Sequence, residues 1–196
     1  VSASSLRFDA NAGFGASSNA FDTQVGTVAG RTIDGAVFLQ DSADDLIIGS
    51  TQASSEVVAA DSSITVNAVA PLSGIVSGGA DGSIVVTQTT GSLTVDSAAP
   101  VSAAGSGNIL LDAAGALALN ADVSSGSGNI TLIGTSGVSL ASSVTAQTAG
   151  TGTIDVSSLE GGLTMATDSS ITALDGDVVV GAVVVVAVLL CCGVVV

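Results

Sequence analysis

The feature that most limits what this chain can fold into is an internal repeat. The segments Gly82-Ser-Ile84-Val-Val86, Gly107-Asn-Ile109-Leu-Leu111, Gly128-Asn-Ile130-Thr-Leu132, Gly152-Thr-Ile154-Asp-Val156 and Gly176-Asp-Val178-Val-Val180 share one pattern. Their leading apolar residues lie 25, 21, 24 and 24 positions apart. Eight or nine residues after each of the first four comes a second apolar-x-apolar unit: Leu93-x-Val95, Leu117-x-Leu119, Val138-x-Leu140 and Leu163-x-Met165. A third follows six to eight residues later, led by Val101, Val123, Val144 and Ile171. Each repeat thus carries three short stretches of period two, the pattern of a strand with one buried face.

Three short strands per repeat cannot bury their apolar faces alone, but repeats stacked on one another can. The expected fold is all-β: a single right-handed parallel β-solenoid with about three strands per coil. Like positions of successive coils would stack at the usual strand spacing of about 4.8 Å. Ile84, Ile109, Ile130, Ile154 and Val178 would form one inward column. Leu93, Leu117, Val138 and Leu163 would form a second, and Val101, Val123, Val144 and Ile171 a third. The residues between, such as Thr94, Ala118, Ser139 and Thr164, would point out. The glycine before each first strand is expected at a corner requiring positive φ. Asn108 and Asn129 occupy matching corners and could hydrogen-bond along the stack, with Ser83, Thr153 and Asp177 in the other coils making a partial ladder.

Upstream the repeat is less regular. Leu46-Ile47-Ile48 and Val37-Phe38-Leu39 read as earlier strands. Asp61-Ser-Ser-Ile64-Thr65 matches Asp168-Ser-Ser-Ile171-Thr172 letter for letter, so Ile64-x-Val66 reads as a third strand. All four Phe fall in the first 38 positions. The chain therefore divides into irregular N-terminal coils or a junction (1–45), regular repeats (46–180) and a Val-rich terminal coil or assembly segment (181–196). At this repeat length roughly eight coils are expected, a rod of around 40 Å.

Charge and side-chain chemistry narrow the function. Two cations, Arg7 and Arg31, against 17 acidic residues leave a net charge of −15, which repels nucleic acid. Histidine, lysine, tryptophan and tyrosine are absent from the sequence. A nucleophile–base pair is therefore hard to assemble, and glycan binding lacks its usual aromatic platform. The acid pairs Asp44-Asp45 and Asp175-Gly-Asp177 would be the candidates for a carbohydrate-active β-helix enzyme, the competing class. Solvated turn formation is the preferred reading of both, so no catalytic residue is assigned and no cofactor is expected. A calcium-dependent surface binding module is the other alternative, with Asp81, Asp175 and Asp177 as the candidate ligands of the ion. Asp81 lies in Gly78-Gly-Ala-Asp81-Gly-Ser-Ile84, which has a passing likeness to glycine-rich calcium repeats.

Val178–Val196 carries no charged side chain, and its only polar ones are Cys191 and Cys192. Adjacent cysteines point to opposite faces of a strand and do not bridge readily. Val178-x-Val180, Val186-x-Val188 and Val194-x-Val196 approximate one further coil in which the outward Val179, Ala187 and Val195 are apolar too. A strand apolar on both faces needs cover on both. Val179, Val186, Val188, Val194 and Val196 are thus candidates for self-association into a fibre. A membrane-spanning helix is the competing reading, disfavoured by β-branching, Gly181 and Gly193, and the lack of basic anchors. Val1–Ala10 has no basic stretch followed by an apolar one, as in a segment cut from a longer product.

Ser106-Gly-Asn-Ile-Leu-Leu-Asp-Ala-Ala-Gly and Ser127-Gly-Asn-Ile-Thr-Leu-Ile-Gly-Thr-Ser-Gly resemble the coils of large bacterial surface adhesins of the filamentous-haemagglutinin type. Asn19-Ala-Phe-Asp-Thr-Gln-Val-Gly-Thr-Val-Ala-Gly, Gly35-Ala-Val-Phe-Leu and Asp45-Leu-Ile-Ile-Gly resemble a block common in those proteins. The resemblance covers roughly residues 9 to 180. It implies an exported, extracellular or cell-surface structural role, with a host cell, neighbouring cell or matrix as partner. The motifs of that family's secretion domain are not found in this sequence.

Overall fold

A computed structural model describes residues 1–52 and 54–187. All regular elements among them are strands, wound into a parallel β-solenoid of about seven turns. The first face of the prism is built from Val37–Asp41, Ile84–Gln88, Ile109–Ala113, Ile130–Gly134 and the starts of the long strands Ile154–Met165 and Val178–Ala187. The second is Leu46–Ile48, Leu93–Val95, Leu117–Leu119 and Val138–Leu140, continued by Leu163–Met165. The third is Ile75–Ser77, Val101–Ala103, Val123–Ser125, Thr145–Thr148 and Ser170–Ala173.

Every pairing within these faces is parallel. Val37, Ile84, Ile109, Ile130, Ile154 and Val178 lie opposite one another in succession. Leu46, Leu93, Leu117, Val138 and Leu163 form the second succession. Alternation does the rest: each short strand buries its first and third residues and turns the second outward. Each fully buried Leu or Ile contributes about 1.5–3 kcal/mol relative to exposure, and a thin prism filled with them requires no larger side chain.

The third column differs from expectation at one rung. Its members are Ile75, Val101, Val123, Ala146 and Ile171, not Val144. Ser143 sits at φ 63°, as Ala98 and Asp168 do at 61°. In each of these coils the ladder residue comes three positions after the left-handed one: Val101, Ala146 and Ile171. Val144 still faces inward, 4% exposed, but at the corner.

The larger departure is an excursion between the second and third faces of one coil. Ser50–Thr51 pairs antiparallel with Leu72–Ser73, and beyond them Ser54–Val58 pairs antiparallel with Ile64–Ala68. Ile64-x-Val66 is therefore one arm of a hairpin, not a third-face strand; that place is taken by Ile75–Ser77. The excursion uses one coil's worth of chain, which accounts for about seven turns where eight were expected. It lengthens the link between stacked partners to 47 residues, as between Val37 and Ile84. Each doubling of a loop costs only about 0.6 kcal/mol in closure entropy, so the solenoid tolerates it.

At the N-terminal side, Ser2–Ala10 pairs in parallel with the continuous strand Phe21–Thr32, which itself lies against all three faces. Phe8 and Phe14 stack with ring centroids 4.1 Å apart, and Phe21 follows at 4.5 Å from Phe14. Gly30 admits the Phe8 ring, because a Cβ at that position would collide with it.

Candidate functional site

The corners carry most of the polar chemistry. Before each first-face strand runs a column of glycines: Gly82, Gly107, Gly128, Gly152 and Gly176. None of the five has positive φ, so the expected reason for glycine is corrected. A Cβ at Gly107, Gly128, Gly152 or Gly176 would overlap the carbonyl oxygen of the glycine one coil earlier. What these corners need is the absence of a side chain, so that coils approach closely.

The next residue links the coils. Ser83 Oγ accepts the Asn108 N–H at 3.0 Å, Asn108 Oδ1 accepts the Asn129 N–H at 2.8 Å, and Asn129 Oδ1 accepts the Thr153 N–H at 2.9 Å. Other corners use the same device: Asp45 Oδ1 accepts the Ser92 N–H and Asp122 Oδ1 the Thr145 N–H, each at 2.8 Å. Asp45, one of the acids considered for catalysis, is thus engaged in stacking.

Inside the prism lie polar groups that the sequence reading missed. Thr32, Ser77, Ala103, Ser125, Thr148 and Ala173 stack as an inward column at the end of the third face. Thr32 Oγ1 donates to the Gly35 carbonyl at 2.6 Å, Ser125 Oγ to that of Gly107 at 2.7 Å, and Ser77 Oγ to that of Gly82. A second inward column is Thr23, Asp41, Gln88, Ala113 and Gly134. Asp41 is fully buried. Its Oδ1 accepts the Thr23 hydroxyl at 2.6 Å and the Val25 N–H at 2.9 Å. Its Oδ2 accepts the Ala43 N–H at 2.9 Å and Gln88 Nε2 at 3.3 Å. Period two was the available signal, since Asp41 is in phase with Val37 and Leu39, and Gln88 with Ile84 and Val86.

Both cations meet one acid. Arg31 grips Asp9 through Nε at 2.9 Å and an NH2 nitrogen at 3.1 Å, and Arg7 lies 3.5 Å from the same carboxylate. The Arg31 hydrogen bond is the main cause holding the Asp9 carboxyl below its ordinary range. Arg7 also donates to the Ala70 carbonyl at 3.3 Å, tying the excursion to the first strand. Asp112, half-buried on the outer side of the first face, has its carboxyl pushed up by desolvation.

The calcium candidates do not converge. Asp81 receives the Ser106 hydroxyl, while Asp175 and Asp177 occupy the corresponding corner four coils away, about 19 Å at a rung spacing of about 4.8 Å. Among the described residues no three His, Cys, Asp or Glu gather as metal ligands. Of the assembly candidates, Val179 lies opposite Asp155 and is 55% exposed, and Val186 lies opposite Thr164. Val188, Val194 and Val196 fall outside the described residues, as do Cys191 and Cys192. No helix among the described residues is long and apolar enough to cross a membrane.

Comparison with family models, curated proteins and solved structures finds no match to this chain.

Proposed function

We propose that this chain is a structural, non-catalytic segment of an exported bacterial surface adhesin or extracellular fibre, working as a stiff shaft that self-associates end to end or side by side. The observation that carries the reading is the unbroken parallel register from Val37 to Val178 along the first face. Such a stack makes length and stiffness its main product. The outward side chains of the second face, from Thr94 through Ala118 and Ser139 to Thr164, are small and stack in one row. Self-association is supported by the exposed Val178, Val179 and Val180 on the last described strand, because apolar residues on both sides of a strand favour cover. The likeness of the Gly-Asn-Ile coils to filamentous-haemagglutinin repeats supports export and a host-cell, neighbouring-cell or matrix partner.

Electron microscopy of the purified chain tests this. The expected image is rods about 34 Å long, at roughly 4.8 Å per coil, joined at their ends or along their sides. Dispersed single rods at every concentration would remove the assembly claim. Cleavage of an acidic polysaccharide that disappears on changing Asp44 or Asp177 would replace the structural reading with an enzymatic one.

A further inference from the structure

We propose that Asp41 is a register lock: its buried carboxylate fixes how the coil interrupted by the hairpin excursion stacks on the coil that follows. In the uninterrupted coils, stacked partners are 21 to 25 residues apart, and tight corners leave little slack. In the interrupted coil the same link is 47 residues long, so chain length no longer sets the register there.

Apolar alternation does not set it either. Side chains repeat every two residues, so a slip by two keeps every inward position inward. If Val37-Phe-Leu39-Gln-Asp41 slid by two along Ile84-Val-Val86-Thr-Gln88, Leu39 would face Ile84, still an aliphatic match. Asp41 would then lie beside Val86, its bond to Gln88 lost in a dry interior. That removes the one donor of the carboxylate that comes from the following coil, an unmade buried hydrogen bond that costs about 1–3 kcal/mol. In the native register the carboxylate instead receives four donors from three successive coils: Thr23 and Val25, Ala43, and Gln88. The Asp41 carbonyl also accepts both the N–H and the hydroxyl of Thr89, at 2.9 and 3.0 Å. A single polar residue that specifies register in an otherwise aliphatic seam is the best-attested use of a buried polar group.

Cysteine trapping on the outer surface reads the register directly. In a full chain with Cys191 and Cys192 changed to Ser, the pair Gln40→Cys/Thr87→Cys reports the native register, in which Gln40 faces Thr87. The pair Gln40→Cys/Val85→Cys reports the slipped one; its native diagonal separation is about 7–8 Å, at the edge of disulfide reach. With Asp41 intact, the native pair should close and the slipped pair should close at least tenfold more slowly. Adding Asp41→Leu should bring the two rates within about threefold, while hydrogen exchange across Ile130–Gly134 and Ile154–Met165 stays as in the parent. If Asp41→Leu leaves the tenfold preference unchanged, the lock is refuted. Should Asp41→Leu fail to fold, Asp41→Asn, which keeps the size but turns an NH2 toward donors, is read by the same two rates. A preserved tenfold preference there refutes the proposal equally.

Discussion

One pentapeptide occurs twice in this molecule in two different folds. Asp168-Ser-Ser-Ile171-Thr172 enters a third-face strand, where Ile171 lies parallel to Ala146 and packs against the core. Asp61-Ser-Ser-Ile64-Thr65 closes a hairpin, where Ile64 lies antiparallel to Val58 and is 62% exposed. The letters are identical, so local propensity does not decide between them. What differs is what lies one coil away. Every strand of the regular coils has a parallel neighbour, and along the first face the residues from Ile84 to Ile154 have one on both sides of the stack. Among the described residues the hairpin arms pair only with each other, and an isolated two-stranded ribbon is marginal in water. The solenoid is a cooperative array, and the excursion is a local element attached to it.

This contrast orders the expected effects of substitution. The largest is in the core: Ile130→Ala should cost about 2–5 kcal/mol, while Ile64→Ala should stay within about 0.5 kcal/mol. Denaturant midpoints measured at constant m check both, and a loss at Ile64 equal to that at Ile130 would erase the distinction. Next comes the glycine column. Gly128→Val should cost about 1–3 kcal/mol through overpacking against Gly107, whereas Gly181→Ala, with nothing among the described residues closer to its new Cβ than Ser157 Oγ at 3.8 Å, should be nearly neutral in thermal unfolding.

Smaller effects should come from the corner hydrogen bonds. Asn129→Ala should cost about 0.5–1.5 kcal/mol and speed amide exchange at Thr153. Asp61→Ala, which removes the acceptor for Ser63 in the hairpin turn, should alter exchange only near the tip. The smallest is electrostatic. Burial raises the Asp112 carboxyl above its ordinary value of 3.8, so the folded state holds that proton more tightly than the unfolded state. The penalty is present above the raised folded value and fades as pH falls to the ordinary one. Asp112→Asn should therefore stabilise at neutral pH, by less than about 1 kcal/mol at a partly exposed site, and the gain should vanish near pH 4. A gain that persists below that range would assign the effect to packing.

The regular coils were legible because two signals coincide there, a period of two within strands and a period of 21 to 25 between them. Ile84 through Val178 needed no more than that. The hairpin was not legible because Ile64-x-Val66 satisfies the first period, and a parallel rung and a hairpin arm share it. Val144 drew the assignment away from Ala146 for a related reason: it is the more apolar of two inward-facing residues, and the left-handed turn at Ser143 is invisible in the letters. The glycine column was legible in position but not in cause, since close approach of backbones depends on the neighbouring coil. Asp41 and Gln88 were hidden because a polar letter reads as outward. Only their phase with Leu39 and Val86 shows that they point in.

The central claim is the stacking of like positions on adjacent rungs. Methyl NOE spectroscopy of selectively labelled isoleucine tests it directly. Neighbouring rungs at about 4.8 Å should give strong cross-peaks between Ile109 and Ile130 and between Ile130 and Ile154. The Ile109–Ile154 pair, two rungs apart at about 10 Å, should give none of comparable strength. A direct Ile109–Ile154 contact without Ile130 between them, or no contact among the three, would contradict the solenoid and the shaft function drawn from it.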